Sequence, residues 1–176
     1  LQALEHPATA MGNVGAGTGA TVGKLCGMER ASKTGIGCYA MALGELQVAA
    51  VVVVNALGDI FDPVNGTKIA GLMNEDRTAF GDSCEELWKL GCPQNLFTGN
   101  TTIGAVITNG QFNKAQMNKI ASMTRNAYAR CINPVGTMAD GDSIYAASAG
   151  EVEADLNVAG TLAAYVMERA IVAAIR

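Results

Sequence analysis

The run QVAAVVVVNA, residues 47 to 56, constrains the fold more than any other stretch. Valine is stiff at χ1 and packs well on a pleated surface, so a cluster of valines favours extended backbone. The run lacks polar alternation, which predicts a strand buried on both faces. It is too short to cross a bilayer as a helix. A strand of this kind needs layers packed against it, and the remaining pattern supplies candidates.

Residues 102 to 108, within TTIGAVIT, predict a second strand. Residues 113 to 131, NKAQMNKIASMTRNAYARC, predict a helix: Ile120, Met123, Ala127 and Cys131 recur at helical spacing, with Asn113 as N-cap. SIYAAS, 143 to 148, predicts a short strand. EVEADLNVAGTLAAYVMERAIVAAI, 151 to 175, predicts a long helix with acids at its start (Glu151, Glu153, Asp155) and an apolar face through Val152, Leu156, Ala159, Ala163, Val166 and Ala170. Residues 59 to 100 read as a polar excursion with one short helix near Ser83 to Leu90. The glycine-rich segment 10 to 37 reads as shaped loops. With no repeat and no boundary, residues 1–176 form a single α+β domain, helices layered on sheet.

Composition narrows the function. The chain is 49% hydrophobic and 16% charged, with a net charge of −4 and no basic run, so nucleic-acid binding has no electrostatic footprint. Charges in the last helix argue against a membrane span. Cys26, Cys38, Cys84, Cys92 and Cys131 are odd in number and never paired as CxxC, and His6 is the only histidine. Free, mostly buried thiols in a reducing cytosol are expected, with no metal site. The Asn-x-Thr triplets at Asn65 and Asn100 are read as chance glycosylation matches.

Four places could carry chemistry. Gly15, Gly17 and Ala20 fit a dinucleotide fingerprint, but no apolar strand precedes them. Gly23-Lys24 fails as a phosphate loop because Thr18 and Leu25 stand where Gly and Ser/Thr are required. Packed loop is the better reading, and Lys24 reads by itself as an exposed lysine, or else as a cation beside a reacting group. Asn100-Thr101-Thr102 is either an ordinary turn or a bond the chain cuts in itself. A freed Thr101 would carry its own α-amine as base, with a pKa of about 7.7–8.0 suited to neutral pH. Asp140-Gly141-Asp142 is either a solvated turn or a pair of carboxylates that orient an amine. Asn55 ends the valine strand; such an Asn more often satisfies a nearby turn, and it could instead donate to an oxyanion.

The order of these pieces is more specific than any one of them. GNVGAGTGATVGK, TGIG, VVVVNALGD, GNTTIGAVITN and GTMADGDSIYAAS together resemble the self-processing N-terminal-nucleophile hydrolases of the DmpA aminopeptidase type, over nearly the whole chain. Within that family the threonine and the two aspartates are most similar to the branch of nylon-oligomer (6-aminohexanoate-oligomer) endohydrolases. The resemblance implies an αββα four-layer sandwich of the DmpA/ornithine acetyltransferase type. It implies that the chain is the C-terminal part of a longer precursor, with further α-part and a pocket tyrosine upstream of Leu1. Autocleavage between Asn100 and Thr101 would divide it into residues 1–100, the end of an α-part, and 101–176, a β-part. Thr101 is the implied nucleophile, Asp140 and Asp142 hold its amine and position substrate, Asn55 is the oxyanion donor, and Lys24 lies near the site.

The expected activity is amide hydrolysis through an acyl-Thr101 ester, without cofactor or metal, on a small amide or oligoamide. The hydroxyl, the amine and both carboxylates should converge at the strand end. A cytoplasmic homo-oligomer, a tetramer of αβ units, is expected. Two rivals remain: an aminopeptidase or amidase releasing N-terminal L-, D- or β-amino acids, and a nucleotide-binding module using the glycine-rich loop.

Overall fold

A computed structural model describes residues 10–91 and 99–175. His6, Cys92 and Pro93 lie outside the described residues. The chain runs β1 (Thr21–Val22), β2 (Ser32–Lys33), β3 (Ile36–Leu43), β4 (Leu46–Val53), β5 (Asp59–Phe61), β6 (Lys68–Ala70), α1 (Ser83–Leu90), β7 (Ile103–Gly110), α2 (Lys114–Cys131), β8 (Ile132–Asn133), β9 (Ser143–Val152) and α3 (Leu156–Ala173). The principal sheet has the order β3-β4-β7-β9, and β6-β5-β8 form a small second one.

The valine run forms β4, in the interior of the principal sheet and antiparallel to both neighbours. Its register is fixed by a hairpin: Leu43 opposes Leu46, and Gly44 takes a positive φ in the two-residue turn. The sequence analysis placed only Ile36 and Gly37 of β3, in the glycine-rich loops, and assigned no element to residues 38 to 43, because GCYAMAL lacks both the valines and the alternation that marked its partner. Pairing with β4 supplies what its own pattern does not. The glycine-rich segment likewise contains β1 and β2, which pair with each other.

β7 and β9 run parallel, from Ile103 opposite Ser143 to Thr108 opposite Ser148. Parallel neighbours need a crossover, and the chain supplies it through α2. A capping box starts α2: the Asn113 side chain accepts from the Gln116 N–H while the Gln116 side chain accepts from the Asn113 N–H. The final helix starts five residues later than expected. Glu151 ends up near the end of β9 and Glu153 in the link, because pairing with β7 carries the strand on to Val152. Asp155 alone caps α3, accepting from the Asn157 and Val158 N–H groups.

Helices α2 and α3 cover one face of the principal sheet. Leu46, Val48, Ala50, Val52 and Val106 from the sheet meet Ile120, Ala127, Tyr128, Ala163, Val166, Met167 and Ile171 from the helices, all buried. Each Leu, Val, Ile or Met among them contributes roughly 1.5–3 kcal/mol by leaving water. Close helix contact depends on Gly160, where a Cβ would collide with Met123. By length and composition α3 could cross a membrane; here it is a core helix, with Ala163, Val166, Ala170 and Ile171 buried.

The opposite face is uncovered, contrary to the expectation that β4 is buried on both sides. Val51, Ile107 and Tyr145 point there, Ile107 at 50% and Tyr145 at 66% exposure. A hollow of about 380 Å³ lies on this face, lined by Ala40, Ala42, Ala49, Ile107 and Ala149 among others. The described residues thus supply two successive layers, helix and sheet.

The excursion after β4 is organised by Asp59, 1% exposed. Its carboxylate pairs with the Lys68 ammonium at 2.7 Å and accepts from the Leu72 N–H, the Ser83 N–H and the Ser83 hydroxyl. It ties β5, β6 and the start of α1 together. Removing one partner of such a buried pair strands the other. Asp59→Ala is expected to destabilise the fold by about 3–5 kcal/mol, read from the shift in urea midpoint.

Candidate active site

The parallel β7–β9 pair places the candidate residues. Its ladder continues one bridge beyond the strands, with Asn100 opposite Asp140. The segment Asn100–Thr102 therefore lies alongside Asp140–Asp142, although 40 residues of sequence separate Thr102 from Asp142. Asn100 and Thr102 are fully buried, and Thr101 between them is half-buried. The alternation of an extended chain turns Thr101 away from its neighbours.

The Thr101 hydroxyl lies 2.6 Å from the Asn100 carbonyl oxygen, to which it donates. The same oxygen accepts the Gly141 N–H at 2.8 Å. The Thr101 N–H donates to the Asn55 carbonyl at 2.8 Å. The Asn100–Thr101 peptide is thus held on both sides, its carbonyl by the 140–142 segment and its N–H by the end of the valine run.

Asn55 and Lys24 form the other wall. The Lys24 ammonium, 5% exposed, donates to Asn55 Oδ1 at 2.8 Å and to the Asn55 and Gly99 carbonyls at 3.3 Å. Asn55 Nδ2 donates to the Gly99 carbonyl at 2.9 Å. Both donors of this wall grip the carbonyl one residue before Asn100. Burial lowers the Lys24 pKa to about 8, and the nearby Asp140 charge opposes that shift.

The two aspartates take different positions. Asp140 accepts from the Thr137 N–H at 2.9 Å and the Thr137 hydroxyl at 2.7 Å. Asp142 Oδ1 accepts the Thr102 N–H at 2.8 Å. Burial pushes the Asp142 pKa up and the Asp140 charge adds to the rise, while the Thr102 N–H and Arg125 oppose it. In the uncut chain the Thr101 nitrogen has one hydrogen, committed to Asn55, so the expected meeting of that nitrogen with the carboxylates is not made.

Three participants escaped the sequence analysis. Gly141 was given no role of its own between the two aspartates, yet a Cβ there would stand 2.7 Å from the Thr101 hydroxyl. The buried Tyr128 hydroxyl, on α2, lies 3.3 Å from the Ser143 carbonyl and 3.5 Å from the Thr102 carbonyl, under the join of β7 and β9. Gly104 leaves room for it: a Cβ would come within 2.6 Å of that hydroxyl. Helical spacing marked Ala127 and passed over its neighbour. Gly99 takes part through its backbone, which carries no sequence signal.

The glycine-rich loop does not behave as a nucleotide cradle. It leads into β1, where a dinucleotide loop would open a helix. Gly17 packs against backbone, where a Cβ would strike Gly12, Gly35 and Ile36, while Gly15 and Gly19 face open space.

A sheet ending at a threonine beside a constrained carbonyl, backed by two helices, can be compared with known proteins. The L-aminopeptidase D-Ala-esterase/amidase from Ochrobactrum anthropi, described as a variant of the Ntn-hydrolase fold, superposes with a TM-score of 0.61 at 19% identity, over 93% of this chain and 44% of that one. The fold is therefore that of the N-terminal-nucleophile hydrolases. An uncharacterized aminopeptidase of Mycobacterium leprae is 35% identical over 149 residues, 82% of this chain and 39% of the relative. The 6-aminohexanoate-oligomer endohydrolase of Agromyces is 32% identical over 145 residues, 81% and 40% respectively. Residues 1–176 match peptidase family S58, and the chain belongs to that family. It spans less than half the length of these relatives.

The Lys24 pKa can be checked directly. With 13C-labelled lysine, the Lys24 side-chain resonance is expected to titrate near pH 8, below the ordinary lysine value of 10.5. Since the folded pKa lies below the unfolded one, the unfolded chain binds the proton more tightly between those values. Burying the charged amine thus costs stability below about pH 8, and the cost fades as pH rises toward 10.5.

Proposed function

We propose that this chain is the C-terminal part of a self-processing amidohydrolase whose nucleophile is Thr101. The observation that carries the reading is the Thr101 hydroxyl at 2.6 Å from the carbonyl oxygen of its own preceding peptide, in a chain of family S58. Attack on that carbonyl would move the acyl group from nitrogen to oxygen, and water would then free Thr101 with an α-amine. The amine would keep the Asn55 carbonyl as its anchor and serve as base toward the hydroxyl.

When the 99–100 segment leaves, Asn55 Nδ2 and the Lys24 ammonium lose the Gly99 carbonyl they hold. They then face the emptied acyl position as donors for a substrate carbonyl. Asp142, anchored by the Thr102 N–H, and Asp140, near Lys24, supply the negative charge that would hold the protonated amine. Hydrolysis proceeds through an acyl-Thr101 ester, and its leaving group is the substrate amine.

An oligoamide of the 6-aminohexanoate kind is the substrate class we favour, because an Agromyces relative is named for that activity and shares 32% identity with this chain. Release of N-terminal amino acids is the second reading, supported by the aminopeptidase of Mycobacterium leprae. The uncovered apolar face of the sheet supports a further αβ layer contributed by an upstream part of the precursor, completing the sandwich. A cytoplasmic homo-oligomer of such units is the assembly we favour.

The full-length product is expected to run as two fragments on a denaturing gel, the smaller beginning at Thr101 by Edman sequencing. Thr101→Ala should leave one uncut chain with no amide hydrolysis; normal turnover by that variant would remove Thr101 from the reaction. Asp140→Ala should lower kcat/KM on amide substrates by at least about a hundredfold, whereas Glu75→Ala, on the exposed surface, should leave it unchanged. Parallel assays with a 6-aminohexanoate oligomer and with amino-acid p-nitroanilides separate internal from terminal cleavage.

A further inference from the structure

Asn55 and Lys24 leave one problem open for self-processing: they hold the Gly99 carbonyl, and the carbonyl that must be attacked is that of Asn100. Developing charge on the Asn100 oxygen therefore needs a different donor. The only backbone N–H directed at that oxygen among the described residues is that of Gly141, at 2.8 Å. That contact is a normal hydrogen bond to the ground-state oxygen, and it already aims the N–H at the atom that takes up charge when the carbonyl carbon becomes tetrahedral.

The geometry points to the Gly141 N–H as the oxyanion donor for scission of the Asn100–Thr101 bond. The inference rests on the self-processing reading and assigns it a group. The Thr101 oxygen bonds to the Asn100 carbonyl carbon, and its proton passes to water. The carbonyl electron pair moves onto oxygen, where the Gly141 N–H meets it. Collapse restores the carbonyl and breaks the carbon–nitrogen bond; the departing Thr101 nitrogen takes up the proton. A second water hydrolyses the resulting ester, leaving an Asn100 carboxylate and a free Thr101 amine and hydroxyl.

Residue 141 itself supports this role. A Cβ there would stand 2.7 Å from the Thr101 hydroxyl and 3.7 Å from the Asn100 oxygen. The nucleophile thus occupies the space a side chain would fill, against the same residue whose N–H holds the carbonyl. Glycine is what lets the attacking oxygen and the donor share one side of the peptide. The flanking aspartates place this glycine: Asp140 is pinned by Thr137, and Asp142 by the Thr102 N–H. Part of what DGD does is therefore to aim the amide between its acids.

The bland alternative is that this bond is one more rung of the β7–β9 ladder. The next rung provides the control, since the Ser143 N–H donates to the Thr102 carbonyl at 3.0 Å. The full-length chain is made by cell-free translation with glycolic acid in place of Gly141, which turns the N–H into an ester oxygen. A second chain carries glyceric acid in place of Ser143. Self-cleavage is followed by gel and intact mass. The ester at 141 should slow cleavage by roughly 10²–10³-fold, as loss of an oxyanion donor does. The ester at 143, which removes one ordinary hydrogen bond, should slow it by less than about tenfold. Equal slowing by both esters, or none at 141, overturns the assignment. An independent readout avoids cleavage and folding of the ester chains: in uncut Thr101→Ala protein, a scalar coupling across the hydrogen bond should link Gly141 15N to Asn100 13C′. Its absence overturns the assignment as well. If the unaltered chain never cuts itself, self-processing falls first and this inference with it.

Discussion

Parallel pairing of β7 with β9 is the constraint on which the rest of the molecule depends. Each strand alone carries half of the candidate site: threonine precedes one, the two aspartates precede the other. Only a shared ladder, one bridge longer than the strands themselves, sets Asn100–Thr102 beside Asp140–Asp142. The crossover through α2 makes that pairing possible, and the same helix places Tyr128 beneath the join. Packing of α2 and α3 on the sheet is thus also what fixes the register of the site.

The second constraint is electrostatic. Lys24 is a charged amine almost without solvent, held because three oxygens accept its hydrogens. Buried charges persist when paired and hydrogen-bonded. Its partners belong to the two segments that meet at the Thr101 peptide, so the cost of burying the charge is offset at the point where the chain must be held still. Asp142 is the counterpart: burial and a neighbouring carboxylate push its proton affinity up, and the Thr102 N–H restrains the rise. Cation and carboxylates stand on opposite sides of one peptide bond, a setting suited to charge that forms and disappears there.

Much of the fold was legible in the residues because local physics determined it. The helix at 83–90 and that at 114–131 follow apolar spacing and polar caps, and both lie where the pattern predicts. The valine strand and the strand after Thr101 were equally plain. β3 was missed because its side chains gain their meaning only from pairing with β4. The start of the last helix was misplaced because acids at 151 and 153 look like a helix entrance, while β7 draws them into a strand. The cysteines were overstated as buried: among the described residues Cys131 is buried, and Cys26, Cys38 and Cys84 are half-buried. The structure brings Lys24, Asn55, Thr101, Asp140 and Asp142 together around one peptide, whereas Tyr128 and the backbone groups beside it gave no signal in the sequence. Gly99 and Gly141 act through a carbonyl and an N–H, which every residue has.

The sequence by itself determined which residues are capable of chemistry, which segments extend or coil, and, through the order of its motifs, membership of family S58. Those properties are local, or are ordered along the chain, and need no folding to be read. Tertiary structure alone decided that the Asn100 carbonyl faces Gly141, that Asn55 and Lys24 hold the carbonyl before it, and that one face of the sheet stays open among the described residues. Distance between residues far apart in sequence is set by strand register and helix packing, and neither is written at any single position.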